Sequence, residues 1–188
     1  MPLETEIKLR VDRHEPVRES LRAAGATFIK RELEINTFLD TPESSLMKSG
    51  NGLRVREAIN EETKQHRCVI THKGPRKAGP MKIREETELT TESYKDAIKL
   101  LAQLGFEVKM SFEKKRETWE MDKTEIVLDE LPDELGRFVE IGGPDEKAVQ
   151  TVCAMLGLGE AVVEPETYAM IIAAYLKKTQ RCSLAFTK

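Results

Sequence analysis

Cysteine is scarce in this 188-residue chain: Cys68, Cys153 and Cys182 form an odd set without Cys-x-x-Cys spacing. That argues against a disulfide framework and against a thiolate zinc site. Long apolar runs are missing too, and none approaches the ~20 residues that span a bilayer. The opening MPLETEIKLR carries acids where a secretion signal would carry an apolar stretch, so the expectation is a soluble cytoplasmic protein without a membrane partner. Neither sign of charge dominates. Thirty Lys+Arg against 33 Asp+Glu leave a net charge of −3, which gives no whole-molecule attraction to nucleic acid. Any anion site must therefore come from local clustering. Charge itself is plentiful, at 34% of residues against 39% apolar, enough for one buried core. The expected organisation is one domain over residues 1–178 and a loosely held tail over 179–188, which lacks a clear period.

Period-two alternation marks eight strands. Residues 3–11, LETEIKLRV, place Glu4, Glu6, Lys8 and Arg10 on one face and Leu3, Thr5, Ile7, Leu9 and Val11 on the other. Further strands are expected at 34–40, 53–59, 66–73, 82–89, 111–121, 124–129 and 137–142. In them Arg54 and Arg56 stand opposite Leu53 and Val55, and Lys114 and Arg116 opposite Lys115, Glu117 and Trp119. Short turns such as Gly50-Asn51-Gly52 separate most of them, which predicts an antiparallel sheet. Helical spacing appears at 15–25, 92–104, 145–156 and 165–178. Expected caps are Thr91 and Asp145, and Pro165 and Glu166 are expected in the first turn of the last helix. The loop 74–80, GPRKAGP, carries Arg76 and Lys77 as a candidate lid or a plain solvated loop.

The helices need an apolar surface to cover, and the strands' apolar face is the abundant one. An open sheet would send the charged face to water; a closed sheet of about eight strands would point it inward. Alternation alone favours the open sheet; the make-up of that face speaks for the second arrangement. It holds Glu4, Glu6, Lys8, Arg54, Arg56, Lys73, Arg84, Glu86, Glu88, Lys114, Arg116, Asp129 and Glu140, with hardly a neutral polar residue among them. Buried, such a lining is costly unless cations meet the carboxylates and an anion meets the bases. A metal–polyphosphate complex supplies both. Arginine grips phosphate oxygens in pairs and lysine acts as a point charge. An all-carboxylate donor set suits Mg²⁺ or Mn²⁺, whereas zinc would want the His or Cys this set lacks.

ETEIK at 4–8 resembles the E-x-E-x-K signature of the CYTH superfamily, the triphosphate tunnel metalloenzymes. The likeness continues in family order through LRVRE (Leu53–Glu57), THKGP (Thr71–Pro75), KIREETEL (Lys82–Leu89), EKKRETWE (Glu113–Glu120) and IVLDELPDELGRFVEIG (Ile126–Gly142). It implies an α+β fold, an eight-stranded antiparallel β-barrel forming a tunnel with helices packed outside. It also implies Lys8, Lys73 and Arg116 as catalytic residues, with Lys8, Arg54, Arg56, Lys73, Arg84, Lys114 and Arg116 binding substrate. Metal ligands would be Glu4, Glu6, Glu86, Glu88, Asp129 and Glu140. Gly142 departs from the family pattern, which usually ends E-I-E, and so removes one carboxylate.

The expected activity is metal-dependent hydrolysis of a triphosphate-containing small molecule: inorganic triphosphate, thiamine triphosphate or a nucleoside triphosphate. The alternatives are a class IV adenylate cyclase and a non-catalytic polyphosphate- or nucleotide-binding module. Dimers are common in the cyclase-like branch, which leaves a homodimer open by analogy.

Overall fold

The alternation read from the sequence becomes, in a computed structural model describing residues 5–75 and 85–187, a sheet with one apolar and one charged face. Among the described residues the elements are β1 (Thr5–Val11), α1 (Glu15–Ala23), β2 (Thr27–Asp40), α2 (Ser45–Lys48), β3 (Gly52–Asn60), β4 (His66–Lys73), β5 (Glu86–Thr91), α3 (Tyr94–Gln103), β6 (Glu107–Met121), β7 (Thr124–Glu130), β8 (Arg137–Gly143), α4 (Glu146–Met155), β9 (Val162–Val163), α5 (Tyr168–Thr179) and β10 (Ser183–Leu184). The first eight strands are the expected ones, in an antiparallel sheet with helices on its apolar side; the two-residue strands β9 and β10 are additional. No helix among the described residues is long and apolar enough to cross a membrane.

The chain divides into two compact units. The first comprises Met1–Glu32, Lys114–Ile171 and Phe186–Lys188; the second comprises Leu33–Glu113 and Ile172–Ala185.

In the first unit the strands run β6-β7-β8-β1-β9. Leu9, Ile126, Leu128, Val139 and Ile141 alternate onto one face and join Val17 and Leu21 of α1 and Val149 and Val152 of α4 in a single core. Val17 and Leu21 lie four apart, so they share one helix face. The helix opens with Pro in its first turn, where no backbone donor is lost, and is followed by Gly25 at φ 75°. Asp145 starts α4, its Oδ1 accepting from the Ala148 amide at 2.8 Å. Glu117 sits on this core side, 3% exposed. Arg18 and Arg31 donate to it at 3.1 and 2.7 Å, and the Trp119 indole donates at 2.7 Å. Burial alone would raise the Glu117 carboxyl, but these donors hold it below its ordinary range.

In the second unit the order is β5-β4-β3-β2-β6. Leu39, Leu53, Val55 and Cys68 pack with Ala97 and Leu101 of α3. Ser93, not the expected Thr91, caps α3, accepting from the Asp96 amide at 3.1 Å. The short α2 escapes periodicity because Asp40 starts it from a distance, accepting from the Leu46 and Met47 amides at 2.9 Å each. The tail is tied rather than loose. Ser183 and Leu184 pair in parallel with Ser111 and Phe112, and Leu184 is buried.

Other boundaries shift as well. β2 begins at Thr27 and β6 at Glu107, because pairing carries each strand past the window of clean alternation. The last helix begins at Tyr168, where Thr167 Oγ1 accepts from the Met170 amide, leaving Pro165 and Glu166 before it. Glu4, Lys82, Arg84 and the Arg76–Lys77 loop lie outside the described residues.

Leu21 is fully buried. Leu21→Ala is expected to cost about 3 kcal/mol, within the range for truncating buried leucines, measured by urea unfolding of the full chain.

Candidate functional site

Strand register places the polar side chains of the first unit in rows across β6, β7, β8 and β1. Glu120 faces Glu125, Glu125 faces Gly142, and Gly142 faces Glu6. One step inward, Thr118, Val127, Glu140 and Lys8 form the next row; Arg116, Asp129, Phe138 and Arg10 form the third. Side chains two apart on a strand share a face, so the three rows look in one direction while the core residues look in the other.

The rows change in character with depth. Glu6, Glu120 and Glu125 are exposed, Lys8, Glu140 and Arg116 are half-buried, and Asp129 and Lys114 are buried. The charges form a chain. Arg116 grips Asp129 through two bonds, Nε to Oδ1 at 2.8 Å and Nη2 to Oδ2 at 2.6 Å, the bidentate geometry that makes such pairs strong. The same Nη2 donates to Glu140 Oε2 at 2.8 Å, Lys114 Nζ to Asp129 Oδ2 at 3.2 Å, and Lys8 Nζ stands 3.8 Å from Glu140 Oε1. Three cations and two carboxylates of the described residues thus meet in one chain.

Burial would raise both carboxyls. For Asp129, the charges of Arg116 and then Lys114 more than offset it and hold the group well below the ordinary aspartate range. For Glu140, burial and the neighbouring Asp129 charge win over Arg116, Lys114 and Lys8, so its carboxyl is raised. Beyond the chain lies Tyr168, the first residue of α5. The Lys8 and Lys114 ammonium groups stand 4.3 and 4.8 Å from its ring centroid.

Glu6, Arg116, Glu125, Val127, Glu140 and Gly142 line a cavity of about 90 Å³. Its donors are carboxylate oxygens, the chemistry that a hard divalent cation takes. Among the described residues no three Asp, Glu, His or Cys side chains converge closely enough to form a closed metal site.

The second unit carries its own cluster. Register aligns Arg54, Thr71 and Glu88 in one row and Gly52, Lys73 and Glu86 in the next. Thr71 donates to Glu88 at 3.0 Å and Lys73 pairs with Glu86 at 2.8 Å. Arg56 stands 3.3 Å from the buried Glu34 and donates to Asn36 at 3.0 Å. The Arg54 Nε is buried with no hydrogen-bond partner. Burial, then the like charge of Arg56, pulls the Arg54 guanidinium down to about 10. A half-buried guanidinium beside another cation, with its Nε unbonded, has donor capacity that an anion could take up.

Of the residues expected from sequence, Lys8, Lys114, Arg116, Asp129 and Glu140 are thus joined in the first unit, with Glu6 at the exposed edge. Arg54, Arg56, Lys73, Glu86 and Glu88 lie in the second. Glu86 and Glu88 are exposed and engaged by Lys73 and Thr71. Glu125 and Tyr168 are additions. The signal for Glu125 was present, since it lies two and four residues before Val127 and Asp129 on one strand face. Tyr168 gave none, being an aromatic at a helix start far along the chain.

Four likenesses bear on this geometry. The family model described as CYTH domain matches residues 2–152. A curated protein of Methanocaldococcus jannaschii named "Putative adenylate cyclase" is 26% identical over 150 residues, covering 80% of this chain and 79% of that protein. Among solved structures, the PH1819 protein of Pyrococcus horikoshii superposes with a TM-score of 0.73 at 24% identity, over 92% of this chain and 99% of its own. A Hippeastrum protein described as a "putative adenylyl cyclase" that "reveals a dominant" triphosphatase activity reaches a TM-score of 0.71 at 16% identity, over 92% and 96%.

Asp129→Asn would leave the buried Lys114 and the half-buried Arg116 beside a neutral amide. The expected loss is about 3–5 kcal/mol of stability at neutral pH in chemical unfolding. Because the Asp129 carboxyl is depressed in the fold, its contribution is fully present above the unfolded value of about 4 and is lost as pH falls from there through the lower folded value. The stability gap between the two proteins should therefore narrow on acidification.

Proposed function

Since the chain belongs to the CYTH family, whose members are triphosphatases or adenylate cyclases, we propose that it is a metal-dependent hydrolase of a triphosphate-containing small molecule. The observation that carries this reading is the chain Lys8–Glu140–Arg116–Asp129–Lys114, three bases fixed side by side next to a carboxylate-lined cavity. A triphosphate concentrates about four negative charges, and charge grows on the leaving oxygen as the P–O bond breaks. Phosphoryl transfer is catalysed mainly by positioning and electrostatic stabilisation, which fixed cations supply.

In this reading Lys8, Lys114 and Arg116 contact phosphoryl oxygens. Asp129 keeps Arg116 and Lys114 charged and aimed. Arg54, Arg56 and Lys73 are proposed as further phosphate contacts, and Arg84, with Glu4 among the metal ligands, keeps the role the resemblance assigns. Glu6, Glu140 and Glu125, too far apart to close a site by themselves, would together with Glu4 supply carboxylate oxygens to a Mg²⁺ or Mn²⁺ that keeps water ligands. A bound divalent ion supplies neutralisation of phosphate oxygens and a more acidic water. Glu125 flanks Gly142 in register, so the carboxylate absent at 142 has a neighbour able to reach the same edge. Asp129, Glu86 and Glu88 were also expected as ligands; Asp129 is already occupied by two cations, so its proposed role is that of their counter-charge.

Cyclisation of ATP to cyclic AMP and pyrophosphate is the second reading, favoured by the name of the Methanocaldococcus relative; the activity described for the Hippeastrum protein supports hydrolysis. Purified protein with Mg²⁺ or Mn²⁺, offered ATP, thiamine triphosphate and inorganic triphosphate separately, distinguishes them. Orthophosphate without cyclic AMP is the expected product. Cyclic AMP plus pyrophosphate would replace this reading with the second, and binding without turnover would make the protein a polyphosphate-binding module.

Glu6 is exposed, so Glu6→Gln should leave folding intact while raising the Mn²⁺ concentration for half-activity by about tenfold or more. Gly142→Glu should lower it; an unchanged value would show that the departure at 142 does not limit metal loading.

A further inference from the structure

Tyr168 brings two like charges to one ring. The Lys8 and Lys114 ammonium groups lie 4.3 and 4.8 Å from its centroid, within the distance at which the negative face of an aromatic ring attracts a cation. The ring itself is held edge-to-face on Phe138, centroids 5.2 Å apart at 77°. Its hydroxyl is buried, makes no hydrogen bond of ordinary geometry and faces Asp129; burial, then the charges of Asp129 and Glu140, keep the phenol protonated far above its ordinary range.

The backbone fixes this placement from the same side. Val162 and Val163 pair with Arg10 and Leu9, the Glu164 amide donates to the Lys8 carbonyl at 2.8 Å, and Lys8 Nζ donates to the Glu166 carbonyl. The segment before α5 is thus laid along β1 and delivers the ring to the two ammonium groups.

We propose that Tyr168 is a positioning residue whose ring holds Lys8 and Lys114 as a pair for two phosphoryl oxygens of the substrate. This rests on the triphosphate reading above. Without the ring, two ammonium groups would repel each other and spread among their other partners. With it, both stay in one place, so the ordering entropy is spent before the anion arrives. The hydroxyl is not required for this role, which separates Tyr168 from an acid or base.

The test compares Tyr168→Phe, which keeps the ring, with Tyr168→Leu, which keeps apolar bulk against Phe138 and removes it. Two measurements on the full chain are needed: calorimetric binding of inorganic triphosphate, and the NMR shifts of the lysine ε-methylene groups of Lys8 and Lys114. Ring-current shifts are expected in the unsubstituted protein and in Tyr168→Phe, and should vanish in Tyr168→Leu. Triphosphate affinity should fall about tenfold in Tyr168→Leu and stay within about twofold in Tyr168→Phe. Unchanged affinity in Tyr168→Leu, or an equal loss in both variants, would overturn the role of the ring. Missing ring-current shifts in the unsubstituted protein would overturn the pairing whatever the protein binds. Intact shifts with no triphosphate binding would overturn the proposed function, and the phosphate role with it, while leaving the pairing in place.

Discussion

Asp129 is fully buried and charged, and the first unit's charged face is organised by what that requires. An isolated carboxylate at such depth would give up its charge rather than remain desolvated. Here it remains ionised because Arg116 grips both oxygens and Lys114 adds a third contact. The cations are fixed by the same bonds. Arg116 can then reach Glu140, and Glu140 draws Lys8 from the neighbouring strand. A single buried acid thereby sets the places of three bases that come from two strands more than a hundred residues apart in sequence. Such an arrangement is poor value as pure stabilisation, since well-packed apolar residues usually do as well in place of buried ion pairs. What it does provide is three bases held at fixed positions on one face, the arrangement the proposed function draws on.

Much of this was legible in the sequence because a strand has period two. Lys114 and Arg116, or Glu140 and its apolar neighbours Val139 and Ile141, can be sorted onto faces without knowing any partner. Register was the missing quantity. It decides that Glu125 neighbours Gly142 and that Arg116 meets Asp129, and it follows from pairing that no single strand encodes. Glu117 shows a different failure. Its position on the apolar face was readable, but its burial depends on Arg18 and Arg31, supplied by a helix and a strand far upstream. Lys30, Arg31 and Glu32 likewise hid the first half of β2, since a charged run reads as a solvated segment until its partners are known. Tyr168 was invisible for a third reason: its role comes from what it lies against, and aromatic residues at helix starts carry no pattern of their own.

The two clusters of bases differ in how their charge is balanced. Around Asp129 the carboxylates are inside the network and touch the cations directly. Around Arg54 the nearest help is weaker, a threonine hydroxyl at 3.5 Å and carboxylates engaged elsewhere. Burial then falls on the guanidinium itself, which is why Arg54 loses part of its usual basicity, while the Asp129 carboxyl is held below its ordinary range despite its burial. One cluster is preorganised by its own counter-ions. The other leaves one guanidinium nitrogen, the Arg54 Nε, buried without a hydrogen-bond partner among the described residues.

The order of the rows also separates the tasks of metal and phosphate. The outermost row is acidic and wet, with Glu6 and Glu125 exposed on either side of Gly142. Mg²⁺ sheds its water reluctantly and keeps several water ligands, so exposed carboxylates suit it better than buried ones. The inner rows offer the opposite: bases at fixed positions, with less competing water, where a charge–charge contact is screened less. A polyanion carrying its metal toward the acidic edge and its remaining oxygens toward Lys8, Arg116 and Lys114 would meet each group in the environment that favours it. Gly142 fits this division rather than breaking it, because it thins the acidic edge without touching the buried chain. The departure should therefore tune how readily metal is taken up and leave the grip on phosphate largely as it is.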